Sequence, residues 1–495
     1  MLTLKNYQLK AFELFQRKKR IFLYWEMGSG KTLFSLYCIY RDWVEKHQIG
    51  RALMICPPSV YSSVMESADK IGINRINILL LDSPRSKAMW SNIKAEGFRG
   101  VVVMSYDFFR RGENLYTEDG KDSDHLPVCG SIVDYNPDFI VFDEAHKLKD
   151  PFSKQSKKAR LLCRVAVPKK IVGTGTPLGK NLLDLWNQIY VLDNGQRLGR
   201  VFDRFKRKYF DNEGWGKVPK LVIGAAEKEQ LYKAVEDIFS AVKMKDLGIA
   251  LPKRKEYVIQ VPLTPEQKKI ISVLKREKSV DFIKAQADLK SKQITKQQFY
   301  VHTLALLTAF RQVSSGFLYE KFQKGEDRGE RESMFYPTNK IVALERGIKR
   351  IPFMEKFIVW TVFQETYPLL EALLQRNNIG YVVVRGGITA KRRMEAVKLF
   401  QRDPEVRCFL SNPKAGGMGL NLQQAKYAFY YSKDYSWIDK NQADGRNYRV
   451  DSIKYHNQIT YFDIICSGTV EDEILLNLTN KTRTVNNFQK YLTEK

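Results

Sequence analysis

The sequence predicts an α/β protein of two parallel-sheet lobes with a mainly helical insertion between them. Three observations carry this expectation. Strand-length apolar runs alternate with helical patterns in two separated regions. Between the regions lies a stretch with few continuous apolar runs and long helical patterns. The chain has 495 residues, 44% hydrophobic and 28% charged, enough to bury the cores of two or three domains.

In the first region strands are expected at Arg20–Tyr24, Ala52–Cys56, Ile76–Leu81, Val101–Ser105, Phe139–Asp143 and Lys170–Thr174. In the second they are expected at Phe357–Thr361, Tyr381–Val384, Arg407–Ser411, Tyr427–Tyr431 and Gln458–Asp463. Residues 1–195 therefore read as one lobe and 339–495 as another. The stretch 196–338 reads as the insertion, with helices over Thr264–Leu289 and Gln297–Val313 and a charged loop at Lys324–Glu332. It carries 29 Lys and Arg against 18 Asp and Glu, densest at Arg204–Lys208. That cluster reads either as a solvated helical face or as a phosphate contact.

The whole chain holds 82 Lys and Arg against 55 Asp and Glu, a net charge of +27. A polyanion held against such a surface releases counterions and gains affinity, so nucleic acid is the expected partner. The six cysteines (38, 56, 129, 163, 408 and 466) never fall at C-x-x-C spacing, and the five histidines are scattered. This argues against a zinc site or a disulfide framework and suits a reducing, cytoplasmic compartment. The start, MLTLKNYQLKAF, lacks the apolar core of a signal peptide, and no apolar run is long enough to span a bilayer.

After the first strand comes Trp25-Glu-Met-Gly-Ser-Gly-Lys-Thr32, then a helical run. Gly28, Ser29 and Gly30 form a turn whose backbone amides can face phosphate. Lys31 is placed to reach the β and γ phosphates, and the Thr32 hydroxyl to take Mg²⁺. The full G-x-x-x-x-G-K-[ST] pattern asks for glycine at position 25, where this chain has Trp25. Downstream, Phe139–His146 is an apolar strand ending in Asp-Glu-Ala-His. Asp143 at the strand tip can hold Mg²⁺, and Glu144 can orient and deprotonate a water. His146 has no partner histidine nearby and reads as a coupling residue. In the second lobe, Gln442, Arg446 and Arg449 are spaced to share one helical face and present guanidinium groups to a γ-phosphate.

Taken in order, these motifs resemble the superfamily 2 helicases, specifically the Swi/Snf-type DNA translocases. Tyr7-Gln8 resembles the family's adenine-reading glutamine motif, and Trp25–Thr32 its D-E-M-G-x-G-K-T. Ile55–Pro58 resembles a DNA-strand motif, Asp143–Lys149 the D-E-A-H-x-L-K-N motif, and Gly173–Pro177 the T-G-T-P coupling motif. Lys340 with Phe357–Trp360 resembles the entry to the second lobe, and Gly386-Gly387 with Arg393 and Phe400 the motif that follows. Ala415–Leu422 resembles A-G-G-x-G-L-N-L, Gln442–Arg449 resembles Q-x-x-x-R-x-x-R, and Thr469–Ile474 resembles T-V-E-E-x-I. The departures are Trp25 in place of an acid and Asp451-Ser452 where the family has Gly-Gln.

The resemblance implies two RecA-like lobes with ATP and Mg²⁺ between them. It implies adenine contact by Gln8, nucleotide contact by Gly419, and coupling by His146, Thr174, Thr176 and Gln442. It places DNA contacts at Pro57, Ser59, Ser105, Lys340, Ser411, Gly416 and Gly417. The expected activity is ATP-driven movement along duplex or branched DNA in replication, recombination or repair, in the compact form of bacteria, phages and large DNA viruses. Alternatives are a strand-separating or RNA helicase, a transcription-linked helicase, a catalytically dead nucleic-acid scaffold, and a phosphate-loop kinase. The last would leave the second lobe without a purpose.

Overall fold

The computed structural model describes residues 3–26, 28–81, 97–111, 135–164, 167–179, 181–213, 220–244, 250–274, 276, 307–319, 333–416 and 420–493. The chain forms two compact units, Met1–Ile249 with Lys481–Lys495, and Ala250–Asn480.

The first unit is built on β1 (Arg20–Trp25), β2 (Arg51–Ile55), β3 (Ile78–Leu81), β4 (Gly100–Met104), β5 (Phe139–Asp143) and β6 (Lys169–Gly173). A small antiparallel pair follows, β7 (Asp211–Glu213) with β8 (Lys220–Val222), and then β9 (Phe239–Val242). The seven-stranded sheet runs β3-β4-β2-β5-β6-β1-β9, every neighbouring pair parallel. β4 and β5 are buried at each of their positions, as strands covered on both faces must be; GVVVM is apolar throughout, and FIVFD is apolar until Asp143. Helices α1 (Asn6–Lys18) and α2 (Lys31–Glu45) pack on this sheet through Ala11, Phe15, Phe34 and Ile39. Because β6 lies between β1 and β5, Leu23 and Asp143 both register against Gly173. The C-terminal ends of these three strands thus meet at one place on the sheet edge, where parallel α/β sheets hold their ligands.

The second unit contains β10 (Lys253–Val261), a short pair β11 (Phe317–Tyr319) and β12 (Ser333–Phe335), then β13 (Lys356–Trp360), β14 (Gly380–Val384), β15 (Val406–Ser411), β16 (Ala425–Tyr430) and β17 (Gln458–Cys466). Its six-stranded parallel sheet runs β10-β17-β16-β13-β15-β14. One face packs around Phe357, Leu370 and Phe429, the other around Trp360, Phe400 and Tyr430.

The expected strands stand within one or two residues of these bounds, except that β17 runs three residues past the expected Asp463, to Cys466, and Ile76 falls instead in a 3-10 turn, Arg75–Asn77. The stretch read as an insertion does more than expected, since it gives β9 to the first sheet and β10 to the second. Four residues of β9 make too short a run to stand out, and the first six residues of β10 are exposed, so neither shows an apolar signature. Of the long helices expected there, residues 265–274, 276 and 307–314 are helical; residues 275, 277–289 and 297–306, with Lys324–Glu332, lie outside the described residues. The basic cluster forms the helix Phe202–Tyr209, with Phe205 and Tyr209 buried and Arg204, Arg207 and Lys208 exposed. Among the described residues no helix is long and apolar enough to cross a membrane.

Candidate active site

The loop from β1 to α2 turns through Gly28 at φ 83° and Gly30 at φ 85°, conformations that L side chains rarely adopt. Gly30 caps α2, so the first free amides of that helix open onto the loop. A Cβ at Gly30 would stand 3.2 Å from the Gln8 amide nitrogen, which places Gln8 directly against the loop. Gln8 is held there because its side-chain oxygen accepts the Lys5 N–H at 2.9 Å. The Tyr7 hydroxyl donates to the Ser29 carbonyl at 2.6 Å. The Lys31 ammonium is buried and donates to the carbonyls of Trp25 at 2.8 Å and Glu26 at 3.3 Å, so a positive charge is fixed at the mouth of the turn.

Asp143 ends β5, and its carboxylate accepts the Thr32 hydroxyl at 2.9 Å. Burial pushes its carboxyl up to about 6, Glu144 next to it adds to the rise, and Lys31 and the Thr32 hydroxyl pull against both. Thr32 and Asp143 thus form a pair of hard oxygen donors at a site of buried negative charge, the donor chemistry that suits Mg²⁺. A Cβ at Gly173 would lie 3.6 Å from the Asp143 carboxylate and 3.7 Å from the Lys31 side chain, so the floor of the site is β6 itself.

Glu144 adopts a left-handed backbone at φ 51°, costing ~1–3 kcal/mol for a residue without glycine's freedom. The Glu144 N–H donates to the Asp143 carboxylate at 2.9 Å, which holds that conformation. The His146 ring nitrogen Nδ1 lies 3.1 Å from the Glu144 carboxylate, 3.2 Å from the Thr174 hydroxyl and 3.4 Å from the Thr176 hydroxyl. The Thr174 hydroxyl reaches Glu144 at 3.4 Å and accepts the Thr176 N–H at 3.1 Å. The first unit therefore gathers Gln8, Ser29, Gly30, Lys31, Thr32, Asp143, Glu144, His146, Thr174 and Thr176 at one edge.

Sequence reasoning missed the support of this site. Trp25, fully buried, sets its ring 5.0 Å from both Tyr7 and Phe34, and its indole N–H donates to the Ser240 hydroxyl at 2.9 Å. The Glu26 carboxylate accepts the Met244 N–H at 2.9 Å. The loop is thereby tied to β9 and to the second residue beyond it. The signal in the sequence was the tryptophan where the phosphate-loop pattern has glycine.

In the second unit the expected helical face is corrected. The helix Trp437–Asp444 ends at Gly445, before either arginine. Arg446 lies in the following turn, 5% exposed, its N–H donating to the Ala443 carbonyl and its carbonyl accepting the Leu422 N–H, each at 3.0 Å. Arg449 spends its guanidinium on the backbone carbonyls of Gly445 at 2.7 Å and Leu420 at 3.1 Å, so it braces the turn. Gln442 is half-buried within the helix.

The DNA-contact expectations divide. Pro57 and Ser59 are half-buried around a 3-10 turn, Pro58–Val60. The Ser105 hydroxyl accepts the Phe108 N–H at 3.0 Å and caps the helix Tyr106–Arg111. Two of the expected residues are buried. Lys340 is 0% exposed and bonds Glu471 at 2.7 Å, and Ser411 is 0% exposed with its hydroxyl donating to the Val384 carbonyl at 2.7 Å. Gly416 ends the short helix Pro413–Gly416, while Gly417 and Gly419 lie outside the described residues.

Comparison with known proteins finds relatives in sequence. Residues 7–315 match the SNF2-related domain, and residues 339–451 the helicase conserved C-terminal domain. Nuclear protein STH1/NPS1 of Saccharomyces cerevisiae is 23% identical over 486 residues, covering 96% of this chain and 34% of that protein. The DNA repair and recombination protein RAD54-like of Drosophila persimilis is 26% identical over 495 residues, covering 92% of this chain and 59% of that protein. The chain thus spans less than two thirds of these relatives. The Sulfolobus solfataricus SWI2/SNF2 ATPase core in complex with dsDNA is 20% identical, with a TM-score of 0.40, covering 99% of this chain and 97% of that one.

Proposed function

Because this chain belongs to the SNF2-related, helicase-like family, matched over residues 7–315 and again at its C-terminal helicase domain, we propose that it hydrolyses ATP with Mg²⁺ to move along duplex or branched DNA. The observation that carries the reading is the Thr32–Asp143 hydrogen bond beside Lys31, with Glu144 and His146 on the next turn of chain. Lys31 and the loop amides bind phosphate. Thr32 and Asp143 hold Mg²⁺, which supplies charge neutralisation at the phosphates when bound. Glu144 orients the attacking water and takes its proton. Gln8 reads the adenine, and Arg446 stabilises the charge that develops on the γ-phosphate. His146, Thr174 and Thr176 link the state of Glu144 to the end of β6.

Duplex DNA as the track is supported by the net charge of +27 and by relatives named for DNA repair and recombination and for chromatin remodelling. Phosphate grip of this kind is largely sequence-independent and weakens with salt.

The test is phosphate release from ATP with Mg²⁺, with and without duplex DNA, for the wild type and Lys31→Ala. Duplex DNA is expected to raise the wild-type rate, and Lys31→Ala to reduce it to background. Stimulation by RNA and not by DNA overturns the choice of track. A wild type without turnover makes the chain a nucleic-acid scaffold. Triplex displacement beside a strand-separation assay divides translocation from unwinding.

A further inference from the structure

The second unit hides a network of charge beneath the arginine turn. Asp444, the last residue of its helix, is 2% exposed. Its carboxylate receives Arg254 at 2.6 Å from β10, Lys440 at 2.8 Å from one helical turn before, and the Tyr430 hydroxyl at 2.5 Å from β16. Arg254 also pairs with Glu256 at 2.6 Å and lies over the Tyr461 ring, 4.7 Å from its centre. The Tyr461 hydroxyl reaches both the Asp444 carbonyl at 3.1 Å and the Asn447 side-chain oxygen at 3.0 Å. The Asn447 amide donates to the Ala425 carbonyl at 3.1 Å. Arg446 stands between the two anchored residues, Asp444 and Asn447.

This arrangement is a poor device for stability alone. A carboxylate at a helix C-terminus opposes the helix dipole, and a buried ion pair gives little that an apolar pair would not. What it does is fix position. Burial alone would raise the Asp444 carboxyl; Lys440 and Arg254 outweigh it and hold it ionised, well below the usual carboxylate range. The turn that follows is therefore pinned at 444 by two cations from separate elements, and at 447 by Tyr461 and Ala425. The Arg446 backbone is bonded on both sides, to Ala443 and from Leu422.

We propose that Arg254, through Asp444, is a positioning residue for Arg446, so that a strand at the edge of the second sheet sets where the catalytic guanidinium points. The proposal rests on the reading of Arg446 given above. It predicts that β10 does more than close the sheet, since Arg254, on the exposed stretch of that strand, reaches the buried Asp444 carboxylate and holds the turn in register.

The experiment is steady-state ATP hydrolysis by the full chain with duplex DNA, for Arg254→Gln, Arg254→Lys, Tyr461→Phe, Arg446→Ala and the Arg254→Gln/Arg446→Ala double variant, each with its thermal midpoint. Arg254→Gln is expected to lower kcat by about 10–100-fold, the cost of a small misplacement, with little change in KM for ATP. Arg254→Lys should restore most of the loss, and Tyr461→Phe should lower kcat in the same sense. The double variant should be no slower than Arg446→Ala, because a displaced arginine and an absent one are the same loss; a mere fall in the folded fraction would multiply instead. A folded Arg254→Gln with wild-type kcat, or a double variant slower by the full single-variant factor, overturns the proposal. Should Arg254→Gln fail to fold, a folded Tyr461→Phe with wild-type kcat overturns it alone. Unchanged hydrolysis in Arg446→Ala instead overturns the reading on which the proposal rests.

Discussion

The Thr32 hydroxyl donates to the Asp143 carboxylate at 2.9 Å across 111 residues of chain, joining the start of α2 to the end of β5. Thr32→Ala removes one oxygen donor and the partner that restrains Asp143. Hydrolysis should fall by about 10²–10³-fold, the usual cost of losing one well-placed group at a developing charge. Thr32→Ser, which keeps the oxygen, should recover most of the rate. Titrating Mg²⁺ against rate checks this: Thr32→Ala should need more metal, and equal metal dependence would remove Thr32 from the site.

His146 touches Glu144, Thr174 and Thr176. His146→Ala should leave ATP binding near the wild-type value while uncoupling hydrolysis from movement. Triplex displacement per ATP hydrolysed is the readout. An unchanged ratio would make the histidine a packing residue only.

Lys340 pairs with Glu471 in full burial, and Glu471 also accepts the Cys466 N–H at 2.8 Å. Lys340→Ala leaves that carboxylate buried without its cation, at a cost of about 3–5 kcal/mol. A denaturant titration should show a large drop in midpoint, while the folded protein keeps its DNA affinity. Weakened DNA binding at unchanged stability would return Lys340 to the DNA contact that the resemblance implies.

Trp25 fills the space between Tyr7 and Phe34 and bonds Ser240. Trp25→Ala should cost about 3–5 kcal/mol as a large core truncation. Trp25→Gly, though it restores the pattern glycine, should be no better. Chemical denaturation of both variants measures this, and a stable Trp25→Gly would show that the tryptophan is dispensable.

The fold was legible because its strands are apolar runs between turn signals, and β1, β2, β4 and β5 need no long-range knowledge to be seen. The first half of the site was legible for the same reason. Lys31 and Thr32 open the helix that follows β1, and Asp143 and Glu144 stand at the end of β5, places where local sequence fixes geometry. Illegible parts depended on distant partners. Lys340 and Glu471 are 131 residues apart, and Arg254 and Asp444 are 190 apart. No local pattern says that such a lysine faces inward. The spacing of Arg446 and Arg449 suggested a helix, but Gly445 ends it, and periodicity cannot see a helix end that glycine sets.

β9 lies 65 residues beyond the last strand that the apolar pattern revealed, yet it reaches the phosphate loop through Ser240 and Met244. The nucleotide-binding half is therefore not finished where its strand–helix alternation stops. A fragment cut near residue 195 would keep each motif of the first lobe and still lose the flank against which Trp25 and Glu26 lean. Such a fragment should fold poorly or bind nucleotide weakly. The shortest piece of chain able to carry the loop in working order has to run through Met244.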